Sequence, residues 1–272
     1  MKAVLKYPGS KRRIAPWIVK RIPKHHAYLE PFAGSLAVLF NKPPSPIEMV
    51  SDIDNNVVNV FQCIKKDSQR LASIIGMTPY ARKVYDDTFE LPVPVDEFER
   101  AVWFLIQCWQ GHGFRTNGYK VGWKNDVQGR EDMYACKNWY RLPNWIVEIT
   151  DRLKQVQIDN APFNEIIPRF KFKNVFIYCD PPYILSTRSG KQYKHEMSND
   201  EHVELLELLL QHPGPVILSG YENDLYNSIL KDWRKDYCIG YAEYYGGRQR
   251  TEVIWMNYDS PAEQMKISEV MG

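Results

Sequence analysis

Apolar residues recur along this chain at helical and strand spacings in turn, and their order predicts a layered fold. Ile14, Trp17, Ile18 and Ile22 share helical spacing, which predicts a helix after the turn Tyr7-Pro8-Gly9-Ser10. His26 to Phe32 reads as a short strand ending in the turn Pro31-Phe32-Ala33-Gly34-Ser35. Leu36 to Phe40 predicts the start of a helix, stopped by Pro43-Pro44-Ser45-Pro46. Ile47 to Ser51 is a buried-type strand ending at Asp52, and Val57, Val58, Phe61 and Ile64 form the stripe of the next helix. Strand, helix, strand, helix implies a parallel sheet.

The rhythm breaks between about residues 65 and 150. Phe98, Val102, Leu105 and Trp109 mark one helical face, and Ile146, Ile149 and Leu153 mark another. Between them runs the irregular stretch GHGFRTNGYKVGWKNDVQGRED, and a loop of that length inside a compact domain is usually functional. Strands return at Val175 to Cys179 and at Val216 to Leu218. The runs DYCIGYAEYY and TEVIWMNY, around Gly246-Gly247, read as a hairpin. A capping box, Ser198 to Glu201, opens an amphipathic helix near 201–211. The expected organisation is an α/β domain built from residues 1–64 and 151–272, interrupted by a mostly helical lobe over 65–150.

With 272 residues, the chain has room for one large α/β domain or for such a core with an insert. Its 44% hydrophobic and 25% charged residues are those of an ordinary globular protein. No apolar run approaches the roughly 20 residues of a membrane span, and the N-terminal residues lack the pattern of a secretory leader. Five scattered cysteines without a CxxC pair argue against a disulfide framework and a zinc site, and for a reducing, cytoplasmic setting. The net charge of +2 is uneven: residues 1–30 carry eight Lys/Arg against the single acid Glu30. Such a basic surface suits a polyanion, and equally a solvated helix face.

Four short stretches carry the candidate chemistry. Asp180-Pro181-Pro182-Tyr183 directly follows the apolar strand VFIYC, and ligands of open α/β sheets bind beyond the carboxyl ends of strands. The prolines stiffen the peptide, setting a carboxylate beside the Pro181 carbonyl and an aromatic face. That group can accept both hydrogens of a planar amine while a ring stacks on Tyr183; a plain proline turn is the competing explanation. Tyr28 to Ser35, with its glycine turn, allows a ligand close to the backbone but lacks the GxGxxG of dinucleotide sites. Asp52, at the end of the second strand, is placed to accept ribose hydroxyls, with Asp54 as competitor and helix capping as the alternative for either. Lys6-Tyr7-Pro8-Gly9-Ser10-Lys11 is by itself only a basic turn.

Together the four stretches resemble the Dam-like (D12 class) adenine-specific DNA methyltransferases, over most of the chain and least in the middle lobe. KYPGSK resembles that family's N-terminal signature, EPFAGS its cofactor loop, SDIDNN its acidic strand end and DPPY its catalytic loop. HEMSNDEHVELLELL, PVILSGY and RQRTEVIWMNY are similar in style. The resemblance implies a Rossmann-like S-adenosylmethionine (SAM)-dependent methyltransferase fold with an inserted target-recognition lobe. It implies SAM as methyl donor, without a metal, and adenine N6 of double-stranded DNA as acceptor, reached by base flipping. It assigns catalysis to Asp180, Pro181, Pro182 and Tyr183. Cofactor contacts fall on Tyr7, Lys11, Pro31, Phe32, Gly34, Ser35, Asp52 and Asp180. DNA contacts are expected from Lys11, Arg12, Arg115, Asn117, Lys124, Arg130 and Arg248, with Lys120 and Arg250 in the same basic stretches. Several of these would read base edges or touch only phosphate or solvent.

Two positions depart from the pattern: Leu36 stands where relatives often carry a second glycine, and Pro162 where they often carry an acid beside the cofactor adenine. Asp159 or Asn164 would substitute for that acid. Alternative readings are methylation of RNA adenine or of a glutamine amide, and a DNA-binding module that has lost activity. Asp180 speaks against the amide, since amide methylation in similar loops favours asparagine. A nicotinamide-dependent oxidoreductase is the most distant reading, for want of a glycine-rich fingerprint. The expected setting is a monomer, possible partner of a restriction endonuclease, working on bacterial, phage or mobile-element DNA, with GATC as the family-level target sequence.

Overall fold

The computed structural model describes residues 4–125, 135–188, 190–245 and 248–259, with backbone alone for 239–245 and 248–250. Seven strands form one sheet: β1 (Ala27–Glu30), β2 (Ile47–Ser51), β3 (Gln157–Asp159), β4 (Val175–Cys179), β5 (Val216–Tyr221), β6 (Arg234–Tyr245) and β7 (Arg248–Met256). Their order is β3-β2-β1-β4-β5-β7-β6. The first five are parallel, and β7 runs antiparallel to both β5 and β6, so the two aromatic runs pair as a hairpin. β1 sits between β2 and β4, and the chain leaves it in opposite directions across the sheet. That reversal opens a crevice above the carboxyl ends of β1 and β4.

The central strands β1, β4 and β5 are buried on both faces, which is why they read as largely apolar runs. Tyr28, Phe176, Tyr178 and Ile217 point to one side. They pack with helices α2 (Asn55–Met77), α3 (Arg82–Glu90), α4 (Glu97–Gln110) and α5 (Ala135–Lys154). Leu29, Ile177, Cys179 and Leu218 point to the other, against α6 (Phe163–Arg169), α7 (Asn199–Leu210) and α8 (Asp224–Ile229). The helices between 65 and 150 therefore share a core with the sheet. α2 itself crosses residue 64; its helical backbone is interrupted at Asp67, whose carboxylate accepts the Arg70 N–H and starts the second half.

Local signals explain most of the boundaries. The Ser198 side chain and Glu201 form the expected reciprocal cap on α7. Asp96 accepts the Phe98 and Glu99 N–H groups to start α4, and Asp54 accepts the Asn56 N–H to start α2. The first helix, α1 (Ala15–Val19), is shorter than its apolar spacing predicts and follows a 3-10 turn, Lys11–Arg13.

The helix expected from Leu36 to Phe40 is a correction: the only regular piece there is a 3-10 turn, Leu39–Asn41. Leu36 lies in the left-handed region (φ +53°), which cannot start a right-handed helix, and the proline cluster leaves no room for a later start. The conformation is the one a glycine would favour, at the position where the resemblance has glycine. Its cost, about 1–2 kcal/mol, is offset by burial of the fully enclosed leucine side chain, about 1.5–3 kcal/mol.

Candidate active site

The carboxyl ends of β1, β2 and β4 deliver Glu30, Asp52 and Asp180 to one cavity of about 310 Å3. The glycine turn after β1 forms its floor. Gly34 has φ +45°, and a Cβ there would lie 3.3 Å from the Tyr7 ring, so only glycine fits without displacing that wall. The Gly34 N–H donates to Asp52 Oδ2 (2.8 Å) and the Asp54 N–H to Oδ1 (2.9 Å). Asp52 thus locks the turn to the end of β2. Its burial raises its pKa to about 6 despite those two N–H donors. The competitor Asp54 caps α2 and keeps Oδ2 buried without a hydrogen bond.

Asp180 is the next residue after β4. Lys11 reaches it from the opposite wall, with Nζ 3.1 Å from Oδ1, 2.7 Å from the Gly9 carbonyl it donates to, and 3.9 Å from Glu252. The ammonium approaches Oδ1 as an ion pair outside good hydrogen-bond geometry, and Oδ1 has no aligned donor. Burial pushes the Asp180 carboxyl above the usual carboxylate range, and Lys11 opposes that rise. Burial alone would lower Lys11, but the carboxylates of Asp180 and Glu252 outweigh it and hold the amine charged. Lys11, expected among both cofactor and DNA contacts, is therefore buried with its charge turned toward Asp180 rather than outward.

Pro182 lines the cavity, whereas its neighbours Pro181 and Tyr183 are not part of the lining. The Tyr183 ring lies edge-on to Tyr221 at 4.7 Å and under the Lys11 ammonium, also at 4.7 Å, and its hydroxyl donates to Glu252 Oε2 at 2.7 Å. Tyr7, Lys11, Pro31, Phe32, Gly34, Ser35, Asp52 and Asp180 all line the one cavity. The Ser35 hydroxyl meets that of Ser10 at 2.7 Å, fastening the N-terminal turn to the glycine turn. Pro162 and Asn164 line the cavity too, while Asp159 does not and is spent on Arg169.

Sequence reasoning passed over three groups at this site. Glu30 is buried, accepts the Tyr28 hydroxyl at 2.6 Å, and is raised by burial to about 8. Tyr193 packs 6.0 Å from Tyr7 across the mouth, and Glu196 anchors the same segment. Glu30 was visible as the one acid of the basic N-terminal stretch; Glu196 lay in the family-like stretch HEMSNDEHVELLELL without a role assigned, and Tyr193 gave no signal, because a loop joins it to the site. In all, the cavity wall carries seven acidic side chains, of which burial favours the neutral form of Glu30, against one lysine and one histidine. Such a wall favours a cationic guest and repels phosphate.

Outside the cavity, Arg12, Arg13, Lys20 and Lys24 are exposed, whereas Arg21 is paired with Asp236. Residues 111–125 form a loop closed by a bridge between Gly111 and Trp123. Arg115 is exposed with its guanidinium 5.5 Å from the Tyr119 ring. Asn117 is exposed but donates to the Lys191 carbonyl and accepts the Tyr119 N–H, and Lys120 is held by Asp86 and Glu90. Lys124 lies near Lys6, whose pKa is lowered to about 8 by burial and by that neighbour. Arg130 lies outside the described residues, and only the backbone of Arg248 and Arg250 is described.

The chain is 26% identical over 245 residues to the retron Ec67 DNA adenine methylase of Escherichia coli, covering 87% of this chain and 83% of that one. It is 23% identical over 247 residues to the DNA adenine methylase of Salmonella typhi, covering 85% and 84%. It is also 24% identical to the type II methyltransferase M.FokI of Planomicrobium okeanokoites, covering 90% of this chain and 40% of that longer protein. The family model for the D12 class N6 adenine-specific DNA methyltransferases matches residues 7–249, so the chain belongs to that family of Rossmann-like, SAM-dependent enzymes.

Proposed function

We propose that the cavity holds SAM along the turn after β1, and that Asp180 holds the amino group of an adenine extruded from duplex DNA. The observation that carries this reading is the state of Asp180. It is buried at the carboxyl end of β4, has an oxygen with no aligned donor, and faces the Lys11 ammonium, which opposes the rise in its pKa that burial causes.

The residues fit SAM: the acid-rich wall matches a cation, and the Gly34 turn lines the cavity with the Tyr7 ring packed against it. Tyr7, Pro31, Phe32, Gly34, Ser35 and Asp52 would hold it, and it supplies a methyl group bound to a cationic sulfur. Adenine N6 is a weak nucleophile because its lone pair is shared with the ring. Asp180 and the Pro181 carbonyl accept its two hydrogens, favour the pyramidal amine, and stabilise the positive charge that develops on nitrogen. The rigid Pro-Pro peptide fixes both acceptors, so positioning contributes much of the acceleration. Tyr183 supplies an aromatic wall behind them. Extruding the base costs on the order of a few kcal/mol, which contacts to the opened duplex must offset. Arg12 and Arg13, with Arg115, Asn117, Lys124, Arg130 and Arg248, are assigned to the DNA, the first two to phosphates.

The test is Asp180→Ala. Methyl transfer from radiolabelled SAM to duplex DNA should fall below detection, while binding of SAM and of DNA stays within about threefold, less than one hydrogen bond to a charged group is worth. Turnover near that of the unaltered protein would remove Asp180 from the mechanism.

A further inference from the structure

We propose that Thr116 and the Arg188–Glu196 ion pair are positioning residues that tie the loop at residues 111–125 to the Asp180–Tyr183 loop, so that engagement of DNA by the first sets the geometry of the second. The inference rests on the reading of residues 111–125 as a DNA-contacting segment.

The connection is continuous. Arg188 Nε donates to the Tyr183 carbonyl at 2.6 Å, at the end of the catalytic loop. Its guanidinium pairs with Glu196, both side chains being largely buried. Glu196 Oε1 accepts the N–H groups of Gln192 (2.7 Å) and Tyr193 (3.0 Å). The Thr116 N–H then donates to the Gln192 carbonyl at 2.8 Å, and Thr116 Oγ1 accepts the Lys194 N–H at 2.8 Å. Asn117 Nδ2 adds a bond to the Lys191 carbonyl at 3.1 Å.

These contacts are not needed to shape the loop at 111–125, whose base is closed independently. His112 N–H donates to the Gly122 carbonyl and Lys124 N–H to that of Gln110. The hydroxyls of Tyr80 and Tyr85 donate to the carbonyls of Lys124 and Val121. On the far side, the segment being held is itself a wall of the cavity. The Tyr193 hydroxyl donates to the Pro8 carbonyl at 3.2 Å, and a Cβ on Gly9 would come within 2.5 Å of that hydroxyl. With so little slack, a displacement at Thr116 is carried to the Tyr7–Tyr193 wall and to Tyr183.

The test is steady-state and single-turnover methylation by Thr116→Val, Thr116→Ser, Glu196→Gln and the Val/Gln double variant, with Arg115→Ala alongside. Thr116→Val should lower kcat about 3- to 10-fold, the worth of one hydrogen bond, with DNA and SAM dissociation constants within about twofold. Thr116→Ser, which keeps the hydroxyl, should restore kcat. The double variant should lose less than the product of the two single losses, as residues in one network do. A Thr116→Val effect confined to the DNA KM, or losses that multiply, would overturn the coupling. Arg115→Ala separates the two ideas: unchanged DNA affinity would remove the underlying reading, whereas weakened affinity with a normal Thr116→Val kcat would remove the coupling alone.

Discussion

At the scale of single residues, the site turns on one buried ion pair. Asp180 must be ionised to accept an amine's hydrogens, yet burial raises its pKa, and Lys11 is the main group that opposes the rise, with Tyr183 adding to it. Lys11→Met removes that opposition, so the Asp180 pKa rises further and the carboxylate is lost at a higher pH. The acid limb of the kcat/KM profile should move to higher pH, with activity at pH 6 falling more than at pH 8.5; an unmoved limb would show that Asp180 is not the titrating group. The stretch DPPY and its place after an apolar strand were legible in the sequence, because proline and aspartate at a strand end are local features. The division of labour between Asp52 and Asp54 was not. It depends on which carboxylate meets the Gly34 N–H, a contact across 18 residues. Nor could spacing show that Lys11 faces inward, since its partners stand at the ends of β4 and on β7.

At the scale of elements, the apolar stripes of α2, α4 and α5 and the strands β1, β2, β4 and β5 were readable, because both periodicities were strong. The short pieces β3, α3, α6 and α8 were not, since three to nine residues carry too little pattern to stand apart from loop. Leu36 shows the opposite failure: its apolar run looked helical, and one backbone angle excluded it. The join between β2 and α5 is made by charge. Glu48 is buried between Lys42 and Arg152, its Oε1 accepting from Lys42 Nζ at 2.5 Å and Arg152 Nη2 at 2.7 Å. Glu48→Ala leaves two cations buried without their counter-ion and should cost about 3–5 kcal/mol of stability. Urea denaturation would measure it, and a loss under about 1 kcal/mol would mean that water takes the carboxylate's place.

At the scale of the whole molecule, the small net charge conceals a separation: an acid-lined cavity beneath a surface where Arg12, Arg13, Lys20 and Lys24 are exposed. On the proposed function, that separation would hold a phosphate backbone outside while admitting a base. Arg12→Ala combined with Arg13→Ala should weaken binding to all duplexes alike and make the slope of log affinity against log salt shallower by up to about two. A slope that does not change would place the phosphates elsewhere. The helices between 65 and 150 were expected to form an insert, and they share one continuous core with the sheet, from Tyr28 and Phe176 through α2 to Trp139. If target recognition lies in this region, it is poorly suited to exchange by grafting a relative's whole helical segment, because the graft would also have to reproduce the underside of the sheet. The structurally separable unit is the much smaller loop between Gly111 and Trp123, with Tyr80 and Tyr85 kept in place as its sockets.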